Sequence, residues 1–428
     1  MFERIASNDV IWLQDSPANL MVINAVVVTE PLGVETLRDA FQRKIFEGEG
    51  RERFERLRCR IAPKGGRLFW ESDPDFDLSR HIVPARDPSL RTLAEVQAYV
   101  GVEASRKLPR GRPRWEIQVI EAFEGGASAL LIRIHHSIAD GMALVSLMFA
   151  LMDEDWHRGD GVARGSLPAG PSRGQRLLRA LLIAASAPGV LLRRLFWVPD
   201  RQGLHGPSLS GEKRVAWTEP LDLAVIKGAK ERTGATVNDV LMASVSGAFS
   251  RYLGLRGEKA PPHFRVSMPV NVRPPWDPLV LENRFAAVPL TLPAGGREFP
   301  QRILAVKARM DELKRSVAPL VVYVLQRLLV TLLPGKPSCG LIDFLANKCT
   351  AVVTNVPGPQ REISIGGSRV RSLLFWVPQR ARIGVGISIL SFAGKVQVGV
   401  MTDTAIEADP ERLVQCFEEE FQALKTLP

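Results

Sequence analysis

Residues 129–141 read Ala-Leu-Leu-Ile-Arg-Ile-His-His-Ser-Ile-Ala-Asp-Gly, an apolar run ending in two adjacent histidines, with Asp140 and Gly141 four and five residues beyond His136. The chain holds six histidines in 428 residues, and two of them stand side by side here. An imidazole can take a proton from a hydroxyl and return one to a leaving group near neutral pH. Successive side chains on a strand point to opposite sides, so only one of His135 and His136 faces a substrate. A buried Asp140 needs an ionic partner, and Arg58 and Arg60 are the candidates. Such a pair would hold the loop in shape without touching the substrate. Gly141 lets the backbone turn tightly and leaves room for a ligand arm.

Two other readings of the same residues compete. Histidines at a strand end can be structural, and two His with an Asp can ligate a metal. Adjacent strand residues diverge, however, and neither HExxH nor a cysteine cluster is present, so no metal site is expected. A GxxxxGK[ST] loop and a GxGxxG turn after a strand are missing, and Gly170-Pro171-Ser172-Arg173-Gly174, which spells GxSxG, follows no strand-like run, as a nucleophile elbow requires. With no evident Ser or Cys nucleophile, direct transfer between two bound substrates is preferred over a covalent intermediate.

Several elements must position this motif. Leu20–Val28, Trp115–Ala122 and Ala129–His135 read as strands, with helices over Val34–Phe46, Leu93–Lys107 and, after the motif, Met142–Met152. Leu57, Cys59 and Ile61 alternate with Arg58 and Arg60, a two-faced strand. From Arg158 to Ser172 the composition turns to Gly, Pro, Ser and Arg, an exposed connector. Leu177–Trp197 is apolar, carries Arg179, Arg193 and Arg194 and is interrupted by Pro188-Gly189. It fits either a membrane interface or an inter-domain helix. Beyond 215 come helices over Val237–Leu253, Phe299–Ser316, Leu320–Leu333 and Pro410–Thr426. Strands alternate with them near 264–270, 286–292, 350–354, 372–376, 384–390 and 395–401. The chain thus divides into an N-terminal unit (1–157), a basic connector (158–215) and a C-terminal unit (216–428).

Apolar residues make up 46% of the chain and charged ones 24%, which excludes a disordered protein. The net charge is +10. Ten Lys or Arg against three acids fall within 158–215, so most of the excess is local. A basic excess favours an anionic membrane or a phosphate-bearing ligand. No interleaved aromatic ladder, helix-turn-helix or zinc-finger pattern supports nucleic acid. Four scattered cysteines without a CxxC pair suit a reduced, cytoplasmic protein. The N-terminus lacks the pattern of a signal peptide, and no stretch of about 20 uncharged apolar residues suggests a spanning helix.

The HHxxxDG motif at a strand end, in a chain of two units, resembles the coenzyme A-dependent acyltransferase superfamily, which includes chloramphenicol acetyltransferase and peptide-synthetase condensation domains. Further residues narrow the resemblance to the bacterial wax ester synthase/diacylglycerol O-acyltransferase family. Arg112-Pro113-Arg114-Trp115-Glu116 looks like its Pro-Leu-Trp motif, and Val237-Asn238-Asp239-Val240-Leu241 is similar to its Asn-Asp motif. Asn355-Val356-Pro357-Gly358-Pro359 matches its Asn-Val-Pro-Gly-Pro motif. Ser7-Asn8-Asp9 with Trp12-Leu13 fits its N-terminus, and residues 375–379 and 386–391 fit its C-terminal region. Arg114, Glu282, Ala286 and Arg380-Ala381-Arg382 depart from the usual pattern, which bears on the shape and charge of a channel.

The resemblance implies an α/β fold of two chloramphenicol acetyltransferase-like subdomains forming a pseudo-dimer, with a substrate tunnel between them and His136 at its middle. It implies transfer of a long-chain acyl group from acyl-CoA, a substrate and not a cofactor, to a fatty alcohol or diacylglycerol. His136 would be the general base, with no covalent acyl-enzyme, and His135 would face inward and support the strand. A membrane or lipid-droplet surface would be a partner, with peripheral association from the cytoplasm. A condensation-type enzyme using a carrier-bound donor and a non-catalytic lipid-binding protein are the alternatives. Among supporting residues, Thr236 and Asp239 form a capping-box pattern. Asn238 either caps that helix or bonds across the domain interface. Asn355 opens a rigid turn after a strand, facing the cleft. Trp115, Phe375 and Trp376 are the tunnel candidates, Trp115 reading more as core than as substrate platform.

Overall fold

Strand-forming runs rich in Val, Ile and Leu build two large sheets, described here from a computed structural model. The structure describes residues 2–48, 50–154, 172–200, 202–274, 276–277, 279–295, 298–406 and 409–426. Most of the Gly/Pro/Ser/Arg connector expected at 158–172 therefore lies outside the described residues.

The first sheet has six strands in the order Ser364–Ile365, Ser368–Trp376, Val22–Thr29, Ala127–His135, Trp115–Phe123 and Ile82–Pro84. Val27 and Leu130 pack into one cluster, and Val26 and Leu131 into another on the opposite face. Burial on both faces explains why these strands read as continuous apolar runs and not as alternating ones. The second sheet places Phe285–Pro293, His263–Asn271, Ala351–Pro357, Val385–Phe392, Lys395–Asp403 and Lys213–Trp217 side by side, with the short Leu221–Asp222 strand also on 395–403. Its core gathers the buried faces of the Val237–Leu255 and Pro410–Lys425 helices. The fold is thus the two-subdomain α/β pseudo-dimer.

The two units are not separable at residue 215. The 368–376 strand leaves the second half of the chain and pairs with 22–29, from Val370 opposite Thr29 to Trp376 opposite Asn24. Its alternate side chains feed both core clusters of the first sheet, Val370 and Leu373 one, Leu374 and Trp376 the other. In the other direction, Lys213–Trp217, at the end of the expected connector, forms the edge of the second sheet.

Local differences from the sequence reading have plain causes. Arg51–Arg58 is a 3-10 turn, and the strand starts only at Cys59, so Leu57 does not share its face. A helix over Lys336–Ala346 was not expected; Pro337 sits in its first turn, where no amide proton is needed. The Arg173–Leu195 helix is long and apolar enough to cross a membrane by length and composition, although its arginines keep it from being an uncharged stretch of about 20 residues. Its five arginines lie in its first and last two turns and leave an apolar middle.

Candidate active site

The Ala127–His135 strand carries the motif to its end, where the His136 amide donates to the Met21 carbonyl at 2.7 Å. The two histidine side chains diverge, as the pleat requires. His135 is buried beside Ser137 Oγ (2.8 Å from Nδ1) and Asp15 Oδ2 (3.1 Å from Nε2), with Arg114 Nη1 at 3.4 Å. Burial lowers its pKa from the ordinary value, against the pull of Asp15. It supports the strand end, and Arg114, a departure in the Pro-Arg-Trp motif, belongs to that support.

His136 turns to the other side and lines a cavity of 550 Å³ between the two halves. Its Nδ1 lies 3.0 Å from Asn283 Oδ1. The Asn283 amide nitrogen donates to Asp9 Oδ1 (2.9 Å) and to the His136 carbonyl (2.7 Å), and the Asn283 backbone N–H also donates to Asp9 (3.1 Å). Because both amide protons have acceptors, the oxygen must face the ring, so Nδ1 carries the proton and Nε2 keeps its lone pair. Trp12 stacks on the imidazole with centroids 3.9 Å apart and planes 11° from parallel, and Phe285 lies at 5.5 Å. Desolvation drives the His136 pKa down to about 4, so the ring is neutral at physiological pH.

Asp9 is the far anchor. Its other oxygen receives Arg56 Nη1 at 3.0 Å, yet burial pushes its carboxyl up to about 6. Sequence reasoning missed this relay. Asp9 entered only as part of the N-terminal motif, and 274 residues separate it from Asn283.

Asp140 caps the Gly141–Leu151 helix, accepting from the Ala143 amide at 2.9 Å. Its ionic partner is Arg273 (3.1 Å), with the Arg284 amide at 2.8 Å, so neither Arg58 nor Arg60 plays the expected part. Arg60 is engaged by Glu71 at 2.9 Å, and Arg58 lies over the Phe46 and Phe76 rings. Of that arginine run, Arg56 reaches the site, through Asp9. The Asp140–Arg273 pair is buried on both sides and ties the motif loop to the second half of the chain. Gly141 lines the cavity as an ordinary first helical residue without positive φ. Its missing side chain keeps the wall open, and no tight turn depends on it.

The remaining candidates divide. Asn355 and Phe375 line the cavity. Asn355 Nδ2 donates to Asn238 Oδ1 at 3.0 Å, a bond within the second half, so Asn238 supports Asn355 and does not cross the interface. Asp239 completes the capping box with Thr236. Trp115 is fully buried, its Nε1 on the Leu57 carbonyl at 2.7 Å and its ring against His81 and Phe41. Trp376 is equally buried on the side opposite Phe375, packed against Trp217. Both tryptophans are core residues, not tunnel walls. The rest of the wall is mainly aliphatic, from the 318–332 and 336–346 helices and the cavity-facing positions of 267–271, 285–287 and 352–356. Arg380, another departure, joins Asp343 and Gln14 at 2.7 Å each and fastens the 336–346 helix to the N-terminal segment.

Comparison with known proteins decides the family. The model of the wax ester synthase/diacylglycerol acyltransferase catalytic domain matches residues 6–203, and that of the WS/DGAT C-terminal domain matches residues 281–425. The chain belongs to the wax ester synthase/diacylglycerol acyltransferase family. Two Mycobacterium tuberculosis proteins, each named as a probable diacylglycerol O-acyltransferase, are similar to it. One is 28% identical over 395 residues, covering 85% of this chain and 82% of the relative. The other is 26% identical over 383 residues, covering 83% and 84%. In fold, the family member solved from Marinobacter aquaeolei VT8 superposes with a TM-score of 0.72 at 20% identity, covering 99% of this chain and 98% of that one. The first condensation domain of the CDA synthetase follows at 0.64 and 17%, covering 99% and 95%.

Proposed function

We propose that this acyltransferase moves a long-chain acyl group from acyl-CoA to the hydroxyl of a fatty alcohol or diacylglycerol, with His136 as general base. One observation carries the reading: a neutral imidazole, locked as the Nδ1–H tautomer by Asn283, leaves its Nε2 as the free nitrogen of a cavity-lining ring. His136 Nε2 takes the hydroxyl proton while the oxygen attacks the thioester carbonyl carbon. The tetrahedral intermediate then expels the thiolate, which recovers the proton from His136. Atoms and charge balance without a cofactor or a metal, and the divergence of the two histidines disfavours a shared ion.

A direct transfer suits the thiols as well. Cys349 is the cysteine on the cavity wall, and burial pushes its pKa up to about 12, so no thiolate is available for a covalent intermediate. The aliphatic wall suits a lipid chain, and the volume lies in the range of small-molecule sites. Likeness to a condensation domain favours one alternative, a donor tethered to a carrier protein. Purified protein incubated with palmitoyl-CoA and either hexadecanol or dipalmitoylglycerol separates the two. Free palmitoyl-CoA is expected to give ester and one equivalent of thiol per ester, with no label left on the protein. Thiol release only from a carrier-bound thioester would sink the acyl-CoA assignment, and the faster acceptor sets the choice between wax ester and triacylglycerol.

A further inference from the structure

Among the described residues 15 large apolar side chains are exposed, and 11 of them lie within 177–198 or 328–344. Random scatter would not gather them on the helices that border the cavity. The 173–195 helix has no buried residue. Its half-exposed positions, among them Ile183, Ala187, Val190 and Arg194, recur at helical spacing, and the helix packs along 318–332. Arg194 donates to the Ala287 carbonyl at 3.0 Å, and Lys348 bonds the Leu195 and Trp197 carbonyls at 2.6 and 2.7 Å, which fastens the C-terminal end to the body. A helix held along the protein in this way lies on a surface and does not cross a membrane.

The outward side is chemically specific. Leu177, Leu178, Leu181 and Leu182 are 47–63% exposed in the first turns, interleaved with exposed Arg173, Arg176 and Arg179. No acid occurs between 173 and 195. Arginine stems can bury while their heads meet phosphates, so this pairing fits anionic lipid better than a neutral surface. Leu328 (48% exposed) and Leu332 (72%) also line the cavity. The apolar exterior is therefore continuous with the cavity wall.

We infer that the outer faces of the 173–195, 318–332 and 336–346 helices form a docking face for an anionic bilayer, and that Leu328 and Leu332 mark a lateral portal from bilayer to cavity. The portal rests on the proposed lipid acceptor; the docking does not. The test uses the full chain in sedimentation with vesicles of phosphatidylcholine, alone or mixed with phosphatidylglycerol, beside Leu178→Ser/Leu181→Ser/Leu182→Ser and Arg173→Gln/Arg176→Gln/Arg179→Gln variants. Binding should require phosphatidylglycerol, weaken with salt, and fall by roughly ten-fold or more in each triple variant. Turnover of vesicle-borne hexadecanol should fall in parallel, with that of water-soluble hexanol unchanged. Unchanged vesicle binding in both variants would overturn the docking face. A lipid-free dimer that the leucine variant dissociates would assign the face to a second copy of the chain instead. Lost vesicle binding with no thioester turnover by any protein, wild type included, would refute the acyl-CoA reading and the portal while the docking face stood.

Discussion

The tautomer and orientation of the His136 ring are set by three residues that lie far from it in the sequence. Asn283 fixes the tautomer, Asp9 fixes Asn283, and Trp12 fixes the plane of the ring. Removing the amide in Asn283→Ala should lower kcat about 100-fold with little change in KM, because a wrong or mixed tautomer withholds the base but not the binding wall. Asp9 adds a pH signature. With its carboxyl at about 6 and the His136 ring at about 4, the first group to gain a proton on acidification is Asp9. Neutralising it weakens the hold on Asn283, so kcat/KM should fall as pH drops through about 6, well above the pH at which His136 itself protonates. In Asp9→Asn the rate should be lower throughout, and the inflection near 6 should vanish. An unchanged inflection in that variant would remove Asp9 from the relay.

At the scale of elements, the strand end, the Gly141–Leu151 helix and the 271–285 segment meet at Asp140. Breaking its buried pair with Arg273 by Arg273→Gln should cost about 3–5 kcal/mol in denaturant unfolding, since the Asp140 charge then stays buried without that partner, while Asp140→Asn should cost less, because Arg273 keeps Glu282 at 3.9 Å. Arg58→Gln and Arg60→Gln should each stay within about 1 kcal/mol, as expected of exposed or half-exposed groups. The sequence carried the strand and the motif because burial on both faces leaves a long apolar run, and HHxxxDG is local. It did not carry the partner of Asp140, because 133 residues separate Asp140 from Arg273 and no local pattern links them. Phe375 and Trp376 were both tunnel candidates, although period-two alternation separates them. Phe375 and Trp376 are neighbours on one strand, so only one could face the cavity, and that was Phe375. The 336–346 helix went unassigned in the sequence; its Pro337 is compatible with a first helical turn, where no amide proton is needed.

For the whole molecule, the site exists only where the halves meet. His136, Trp12 and Gly141 come from the first, Asn283, Phe285 and Asn355 from the second. The resemblance carried the two-unit α/β architecture into the sequence reading. The crossing of 368–376 into the first sheet did not show, since apolar pattern specifies a strand but not its neighbour. That crossing, with Asp140–Arg273 and Asp9–Asn283, holds the two walls in register. In the proposed reaction the cavity-facing histidine is the base for direct acyl transfer. The most direct test is ester formation from palmitoyl-CoA by the intact protein beside His136→Ala, with folding checked by circular dichroism. The folded variant is expected to lose at least about 100-fold in rate while still binding palmitoyl-CoA. A folded His136→Ala protein with near-normal turnover would contradict it.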